Sequence, residues 1–425
     1  MDKKSSSQLE TSFSGVAANY KGQDVDLFDI YKQMRAQTPV VEGDFMGNLG
    51  VPNIAGHEAG RKTYTLFKYN DVMAVLRDAD TYTSGFIAAG LGAFMDGLIL
   101  TGMDGEQHKK MRTLLHPVFM PKVVNTWRGS KMEPIVREEY MKPLAPEGKA
   151  NLMDFALHFP VRLIYSLIGF PDDEPESIQQ YASWALDILA GPQVKPEDAA
   201  EAKARALSAS ESLYKAVRER VAQVRAKGEL GGDLISRLIE AEYEGKLLDD
   251  HEIATFVRSL LPAAGETTTR TFGTAMTLLL ERPELLARVR EDRNLVSSLI
   301  DEAVRYEPVA TFKVRQAARD VEIRGVSIPK GSMVQCIVSS ANRDEEVFER
   351  ADEFDIDRKS KPSFGFGFGP HVCIGQFIAK IELSVAINGV LDYMPGIRFD
   401  PDYPAPVIRG AQLRGPDSLH VVWDK

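Results

Sequence analysis

The stretch FGFGFGPHVCIG, residues 364–375, places four glycines and three phenylalanines around one cysteine, Cys373. A cysteine outside a disulfide usually acts as a small buried hydrophobic residue and needs no flexible backbone around it. Glycine allows positive φ and lets the backbone approach a flat ligand closely. Gly375 lies where the next helical segment begins, and a helix N-terminus stabilises an anionic sulfur. Taken alone, the stretch is compatible both with a buried structural cysteine in a tight turn and with a cysteine thiolate that binds a metal beside a planar cofactor.

The composition of the 425-residue chain limits the other possibilities. With 44% hydrophobic residues, no linker and no repeat, residues 1–425 are predicted to form a single domain. Residues 1–25 are polar and are expected to be an irregular N-terminal tail. The net charge of -10 argues against nucleic acid as a partner, because phosphate binding requires a basic surface.

The sequence also indicates where the protein works. No apolar signal core begins the chain, and no run approaches the roughly 18–20 apolar residues of a membrane span. Two cysteines, Cys336 and Cys373, provide neither a disulfide framework nor zinc-ligand spacing. We therefore expect a cytoplasmic monomer with no membrane span.

The residue pattern predicts a mainly α fold with a minor β region. Helical stretches follow one another to about residue 306, and short strands such as TFKVRQAA and SMVQCIVSS come after it. The segment LDDHEIATFVRSLLPAAGETTTRTFGTAMTLLLERPE is apolar on most faces, which predicts a long buried central helix. Pro262 lies in its middle, lacks an N–H and is expected to kink it.

The spacing Phe-x-x-Gly-x-x-x-Cys-x-Gly is met by Phe366, Gly369, Cys373 and Gly375. This spacing resembles the signature of the cytochrome P450 haem-thiolate monooxygenases. The resemblance implies the cytochrome P450 fold, with the long central helix over a haem b group. It also implies that Cys373 is the iron ligand, that Phe366, Gly367 and Gly375 lie against the haem, and that the thiolate favours O–O cleavage.

The same resemblance implies further residues that anchor the haem. A Glu-x-x-Arg pair, Glu302 and Arg305, would brace the core behind the haem together with Arg358 of the FDIDR stretch. Two propionates need cationic partners once they are buried. The resemblance assigns this role to His108, Arg112, Arg315 and His371. Lys313 shares strand phase with Arg315, so it could bind either a propionate or a substrate carboxylate.

The acid and alcohol that the resemblance implies above the haem lie in AAGETTT. Ala264, Gly265, Glu266 and Thr267 align with the family pattern of a small residue, any residue, an acid and a threonine. A carboxylate can relay protons, and a hydroxyl can donate a hydrogen bond to bound oxygen. In the alternative register, Thr268 is the alcohol and no acid remains in the relay.

Substrate contacts are expected from three segments around the cavity. Most of the candidate residues are apolar, which indicates a hydrophobic substrate. The candidates are Phe86, Leu91, Phe94 and Leu98 in the loop GFIAAGLGAFMDGLIL, Ala263 in the central helix, Val309, Ala310 and Thr311 after the Glu-x-x-Arg helix, and Gln412 and Leu413 in a late turn.

The implied reaction is RH + O₂ + 2 electrons + 2 protons giving ROH + water. The polar N-terminus and the lack of an appended flavin or iron–sulfur domain resemble soluble bacterial members. Electrons from NAD(P)H would then arrive through separate proteins, a ferredoxin and its reductase, with Lys109 and Lys110 as a docking patch. A peroxide-driven peroxygenase on the same fold and a non-catalytic haem-based sensor remain as alternatives. Glu266 and Thr267 weigh against both of them.

Overall fold

The protein is described by a computed structural model that covers residues 3–23, 25–52, 61–96, 99–193, 196–228, 230–359 and 361–425. Within these ranges the chain forms seventeen α-helices and twelve strands, so the predicted mainly helical fold with a minor β region is confirmed. The helices are α1 (Lys3–Tyr20), α2 (Leu27–Gln37), α3 (Phe45–Asn48), α4 (Tyr69–Arg77), α5 (Phe86–Ala89), α6 (Gly105–Leu115), α7 (Pro121–Trp127), α8 (Lys142–Leu144), α9 (Leu152–Ile168), α10 (Pro175–Leu189), α11 (Pro196–Lys227), α12 (Leu234–Glu240), α13 (Asp250–Leu280), α14 (Pro283–Glu291), α15 (Leu295–Tyr306), α16 (Val338–Ala341) and α17 (Gln376–Tyr393).

The strands form one larger sheet and three smaller ones. The strands are β1 (Val40–Glu42), β2 (Thr63–Leu66), β3 (Tyr82–Thr83), β4 (Lys149–Asn151), β5 (Glu242–Tyr243), β6 (Lys246–Leu247), β7 (Phe312–Ala317), β8 (Val321–Ile323), β9 (Val326–Ile328), β10 (Met333–Ile337), β11 (Arg398–Phe399) and β12 (His420–Val422). The five-stranded sheet has the order β1-β2-β10-β7-β3, in which β2 and β10 run parallel and the other pairs are antiparallel. The order β11-β12-β4 makes a second sheet, and β5-β6 and β8-β9 are hairpins.

The central helix α13 organises the helical part of the molecule. It starts at a capping box in which Asp249 and Glu252 each accept a hydrogen bond from the other's backbone N–H. It continues through Pro262 and packs against α9, α11 and α17, so that its second half is buried on every side. Neither α13 nor any other helix in the described part of the chain is both long and apolar enough to cross a membrane.

The N-terminal segment differs from the sequence prediction. We expected residues 1–25 to be irregular, but Lys3–Tyr20 forms α1, so that expectation was wrong. Leu9, Val16 and Tyr20 recur at helical spacing and are buried against α10. The Tyr20 hydroxyl donates to the Leu189 carbonyl at 3.0 Å. The few apolar residues are therefore enough for a helix once tertiary packing supports it.

Candidate active site

The Cys373 loop lies between the end of α4 and the start of α17. Its backbone folds back on itself, because the Cys373 N–H donates to the Phe366 carbonyl at 2.7 Å. Gly367 and Gly369 have φ of +76° and +69°, in the left-handed region that favours glycine. A Cβ on Gly369 would lie 2.4 Å from the Leu76 carbonyl oxygen, so a side chain there would clash. The glycines thus fix the loop that presents the thiol.

The Cys373 thiol faces a hollow inside the protein. The side chain is exposed, yet burial raises the pKa of Cys373, so the open space around it is enclosed by protein rather than bulk solvent. The Gly375 N–H bonds to the sulfur, and the positive charges of Lys313 and Arg112 also lower the pKa. These groups would stabilise a thiolate once a metal binds it.

A metal at Cys373 would have to bring most of its own ligands. Among the described residues, no cluster of three or more His, Cys, Asp or Glu side chains could hold a metal ion. A single thiolate facing a hollow suits haem, because the porphyrin would supply most of the other iron ligands itself. The residues present therefore fit the cofactor that the sequence implies.

Polar groups around the hollow also fit the two haem propionates. The rings of His108 and His371 lie 4.1 Å apart, and the Nε2 atom of each is buried without a hydrogen-bond partner. Burial, followed by Arg315, His108 and Arg112, lowers the pKa of His371 to about 3; burial and Arg112 lower the pKa of His108. The two histidines are thus neutral near pH 7 and offer N–H donors, while Arg112 and Arg315 carry the positive charge.

Asp104 is a neighbour of this group that the sequence analysis did not identify. Its Oδ1 lies 3.9 Å from Nε2 of His371, and its carboxylate accepts from the N–H groups of Ser84 and Gly85 at 2.7–3.0 Å. It therefore fixes the start of the predicted substrate loop and lies close to the histidine pair. No motif in the sequence marked it.

The Glu-x-x-Arg pair is fully buried and fully hydrogen-bonded. Arg305 donates to both Glu302 oxygens, at 2.8 and 2.7 Å, and to three backbone carbonyls at 2.9–3.0 Å. Glu302 Oε1 also accepts from the Asp355 N–H at 3.0 Å and from Arg358 Nε at 3.3 Å. The structure thus brings Glu302, Arg305 and Arg358 together, as their predicted bracing role requires.

One face of α13 is open in the middle of the helix. Ala263 is exposed and Ala264 and Thr267 are half-buried, whereas Glu266 and Thr268 are buried. The Thr267 hydroxyl donates to the Ala263 carbonyl at 2.9 Å. This arrangement supports the register in which Thr267 is the alcohol, because Thr268 does not lie on the open face.

Glu266 points away from that open face and forms an ion pair. Its Oε1 accepts from Arg270 Nε at 2.6 Å, while Glu266 Oε2 and Arg270 Nη2 are buried without hydrogen-bond partners. Burial raises the pKa of Glu266, and Arg270 opposes that change. The Arg270 guanidinium also lies 4.9 Å from the centroid of the Phe13 ring in α1. The sequence analysis missed Arg270, although its i,i+4 spacing from Glu266 was a readable signal.

The predicted substrate residues mostly lie in or against the main hydrophobic core. Phe86 and Leu413 are buried in it, and Leu91, Phe94 and Val309 pack against it, whereas Ala310 is half-buried. Leu98 lies outside the described residues.

Thr311 differs from this group. It is fully buried, and its hydroxyl donates to the Ala411 carbonyl at 2.5 Å, with Gln412 Oε1 also 2.9 Å from the hydroxyl oxygen. Its hydroxyl therefore holds the late turn and is not free for a substrate.

Comparison with known proteins gives one consistent result. The family model described as Cytochrome P450 matches residues 183–393, which include α13 and the Cys373 loop. The chain is 30% identical over 416 residues to pulcherriminic acid synthase of Bacillus subtilis (strain 168), covering 95% of this chain and 99% of the relative. It is 31% identical over 375 residues to mycinamicin IV hydroxylase/epoxidase of Micromonospora griseorubida, covering 86% and 90%. The structure of CYP109E1 from Bacillus megaterium in complex with corticosterone aligns with a TM-score of 0.80 and 25% identity, covering 94% of this chain and 98% of that one.

Proposed function

Because the chain belongs to the cytochrome P450 family and is a haem-thiolate monooxygenase, we propose that Cys373 is the residue that binds the haem iron. The enzyme uses haem and O₂, with electrons from NAD(P)H delivered through redox partners. The peroxygenase and sensor alternatives are not favoured. The observation that carries the proposal is the single thiol that faces an enclosed hollow beneath the Gly375 N–H.

The groups around the hollow would hold the cofactor by its two carboxylates. We assign Arg112 and Arg315 as the cations and the buried Nε2 atoms of His108 and His371 as additional donors. Phe366, Gly367 and Gly375 would form the surface against its proximal face. Bound haem supplies the activation of O₂ from which one oxygen atom enters the substrate.

The residues of α13 would control protons on the distal side. Thr267 lies on the open face and can hold a hydrogen-bonded water or oxygen there. Glu266 lies behind that face in a buried pair, and we propose that it transfers protons from the rear of the helix toward Thr267. The apolar candidate residues in and against the core, Phe86, Leu91 and Phe94 among them, would exclude bulk water and hold a small hydrophobic substrate.

We further propose that residues 1–425 act as one catalytic domain, a cytoplasmic monomer served by a ferredoxin and its reductase. Lys109 is exposed, and its one ion pair among the described residues is with the nearby Glu106 at 3.7 Å, so its charge is accessible to an acidic redox protein. Lys110 is on the same helix as Lys109, and its Nζ lies 6.0 Å from the centroid of the Tyr243 ring in β5. These two lysines are the proposed docking patch.

The test of the proposed function is the ligand to iron. Cys373→Ser should remove the thiolate-type band from the ferrous–carbon monoxide spectrum, because the serine hydroxyl is not a thiolate. Cys336→Ser is the matched control: Cys336 is the other cysteine, fully buried in β10, and its loss should leave the spectrum unchanged. A Cys373→Ser protein that keeps the thiolate-type band would contradict the assignment.

A further inference from the structure

Lys313 is a cation in the interior that the proposed haem site does not yet account for. It lies on β7, where successive side chains point to opposite faces, so Lys313 and Arg315 share one face and Phe312 and Val314 share the other. Phe312 and Val314 line a small cavity beside α3. Lys313 and Arg315 therefore point the other way, toward the hollow in front of Cys373.

The Lys313 amine and the Cys373 thiol affect each other's pKa. Burial lowers the pKa of Lys313 to about 8, while Cys373 acts in the opposite direction and Arg315 adds to the lowering. Lys313 in turn lowers the pKa of Cys373. The two groups come from segments sixty residues apart in the chain and face the same enclosed space.

Lys313 has no carboxylate partner in the described part of the protein. Three other buried or half-buried cations each have one: Arg343 pairs with Glu307 at 2.8 Å, Arg305 with Glu302 at 2.7 Å and Arg162 with Asp172 at 2.7 Å. No hydrogen bond or ion pair to Lys313 is found among the described residues. Enclosing an ammonium without a carboxylate partner is unfavourable, so an anion that binds there would stabilise it.

We propose that Lys313 binds a carboxylate in the hollow in front of Cys373. This proposal rests on the proposed haem site, and the carboxylate could come from either of two sources. One is a haem propionate, for which Lys313 would be a third cation beside Arg112 and Arg315. The other is a hydrophobic organic acid as substrate, whose carboxylate Lys313 would hold while the apolar chain fills the cavity. A strand-borne amine suits either source, because it forms a charge-assisted hydrogen bond without further rearrangement.

The experiment compares Lys313→Met with Lys313→Arg, which keeps the charge. Lys32→Met is the control, since Lys32 is an exposed lysine paired with Asp352 at the surface. One arm measures the rate of haem transfer to apomyoglobin. The other measures the binding of dodecanoic acid and of its methyl ester from the absorption shift of the haem protein.

Each source predicts a different pattern. If Lys313 binds a propionate, Lys313→Met should lose haem about tenfold faster, Lys313→Arg should restore retention, and the acid-to-ester ratio should not change. If Lys313 binds a substrate acid, wild-type protein should prefer the acid by about tenfold, and Lys313→Met should lose that preference with haem retention unchanged. Either pattern supports carboxylate binding.

The proposal is overturned if Lys313→Met changes neither haem loss nor the acid-to-ester ratio. The ferrous–carbon monoxide spectrum of wild-type protein is recorded in parallel. A missing thiolate-type band there would refute the Cys373 assignment independently of the behaviour of Lys313. The two failures are therefore distinguishable.

Discussion

Two buried Glu–Arg pairs lie on neighbouring helices of this protein, and they differ in how completely they are hydrogen-bonded. In the pair on α15, all five N–H groups of Arg305 have acceptors, and Glu302 also binds Arg358 and a backbone N–H. In the pair on α13, Glu266 and Arg270 share one short bond and each keeps a buried atom without a partner. We call the fully hydrogen-bonded pair on α15 saturated and the pair on α13 unsaturated. A saturated pair stabilises the structure, whereas the carboxylate of an unsaturated pair can still accept or release a proton.

The first prediction concerns a double variant that removes both charges of the saturated pair. Glu302→Gln combined with Arg305→Met should destabilise the protein by about 3–5 kcal/mol or more, because three backbone carbonyls lose their donors. The free energy of unfolding by denaturant and the yield of haem protein measure this loss. Arg350→Ala is the control, since Arg350 forms an exposed pair with Glu353 and should matter little. A double variant as stable as the control would show that the hydrogen bonds around Arg305 do not hold the core.

The second prediction applies the same change to the unsaturated pair. Glu266→Gln combined with Arg270→Met should alter stability by only about 1 kcal/mol, because neutral groups of similar size replace a poorly satisfied ion pair. Turnover should fall about 100-fold with a changed solvent isotope effect, because the proton-transferring carboxylate is gone. The measurements are the free energy of unfolding and the rate of product formation.

The hydroxyls of Thr267 and Thr268 test the proposed register of α13. Thr267→Val should lower the product formed per NADH consumed, whereas Thr268→Val should not, because only Thr267 lies on the open face. Uncoupling by Thr268→Val alone would shift the register by one residue. Full turnover in the double variant of Glu266 and Arg270 would exclude Glu266 from proton transfer.

The third prediction concerns Glu382, a buried carboxyl for which no cationic partner is found among the described residues. Burial alone raises the pKa of Glu382 on α17 to about 8, and its Oε1 has no hydrogen-bond partner. The folded state therefore holds a proton that the unfolded chain releases near its ordinary pKa, so stability should fall as pH rises toward 8. Between about pH 6 and about pH 7.5 the loss should be about 2 kcal/mol.

Glu382→Gln is the variant that checks this pH dependence. The amide is neutral at every pH, so the free energy of unfolding of the variant, measured with denaturant, should decrease less as pH rises. Relative to wild type, the variant should therefore be more stable at alkaline pH. Equal slopes in wild type and variant would mean that Glu382 is ionised in the folded protein.

The smallest effect is expected from Phe13, the aromatic residue that lies beside the Glu266–Arg270 pair. Phe13→Leu keeps an apolar side chain but removes the ring that lies 4.9 Å from the Arg270 guanidinium. The cation–π contact is worth about 1 kcal/mol, so stability should drop by that amount and the amides of α1 should exchange faster. Unchanged exchange in α1 would show that Phe13 does not couple this helix to α13.

The sequence was sufficient where function constrains several residues at fixed spacing. The Cys373 loop, the Glu302–Arg305 spacing and the long apolar segment of α13 predicted the family, the helical fold and most of the candidate site. Helix α1 could not be predicted this way, because Leu9, Val16 and Tyr20 are separated by polar residues and become a helix face only against α10. The direction of Glu266 was also inaccessible, since it depends on how α13 is rotated about its axis in the packed protein.

The contacts of α1 have a consequence for how the chain folds during synthesis. The end of this helix accepts hydrogen bonds from the late turn, with the Ala411 N–H donating to the Lys21 carbonyl at 2.7 Å and the Gln412 N–H donating to the Tyr20 carbonyl at 3.1 Å. At least 390 residues separate these partners, so the ribosome releases α1 long before residues 411 and 412 exist. Contacts of such sequence separation form late and slow folding. Helix α1 can pack on α10 earlier, but the attachment of its end to the late turn should be among the last steps by which the chain reaches its native state.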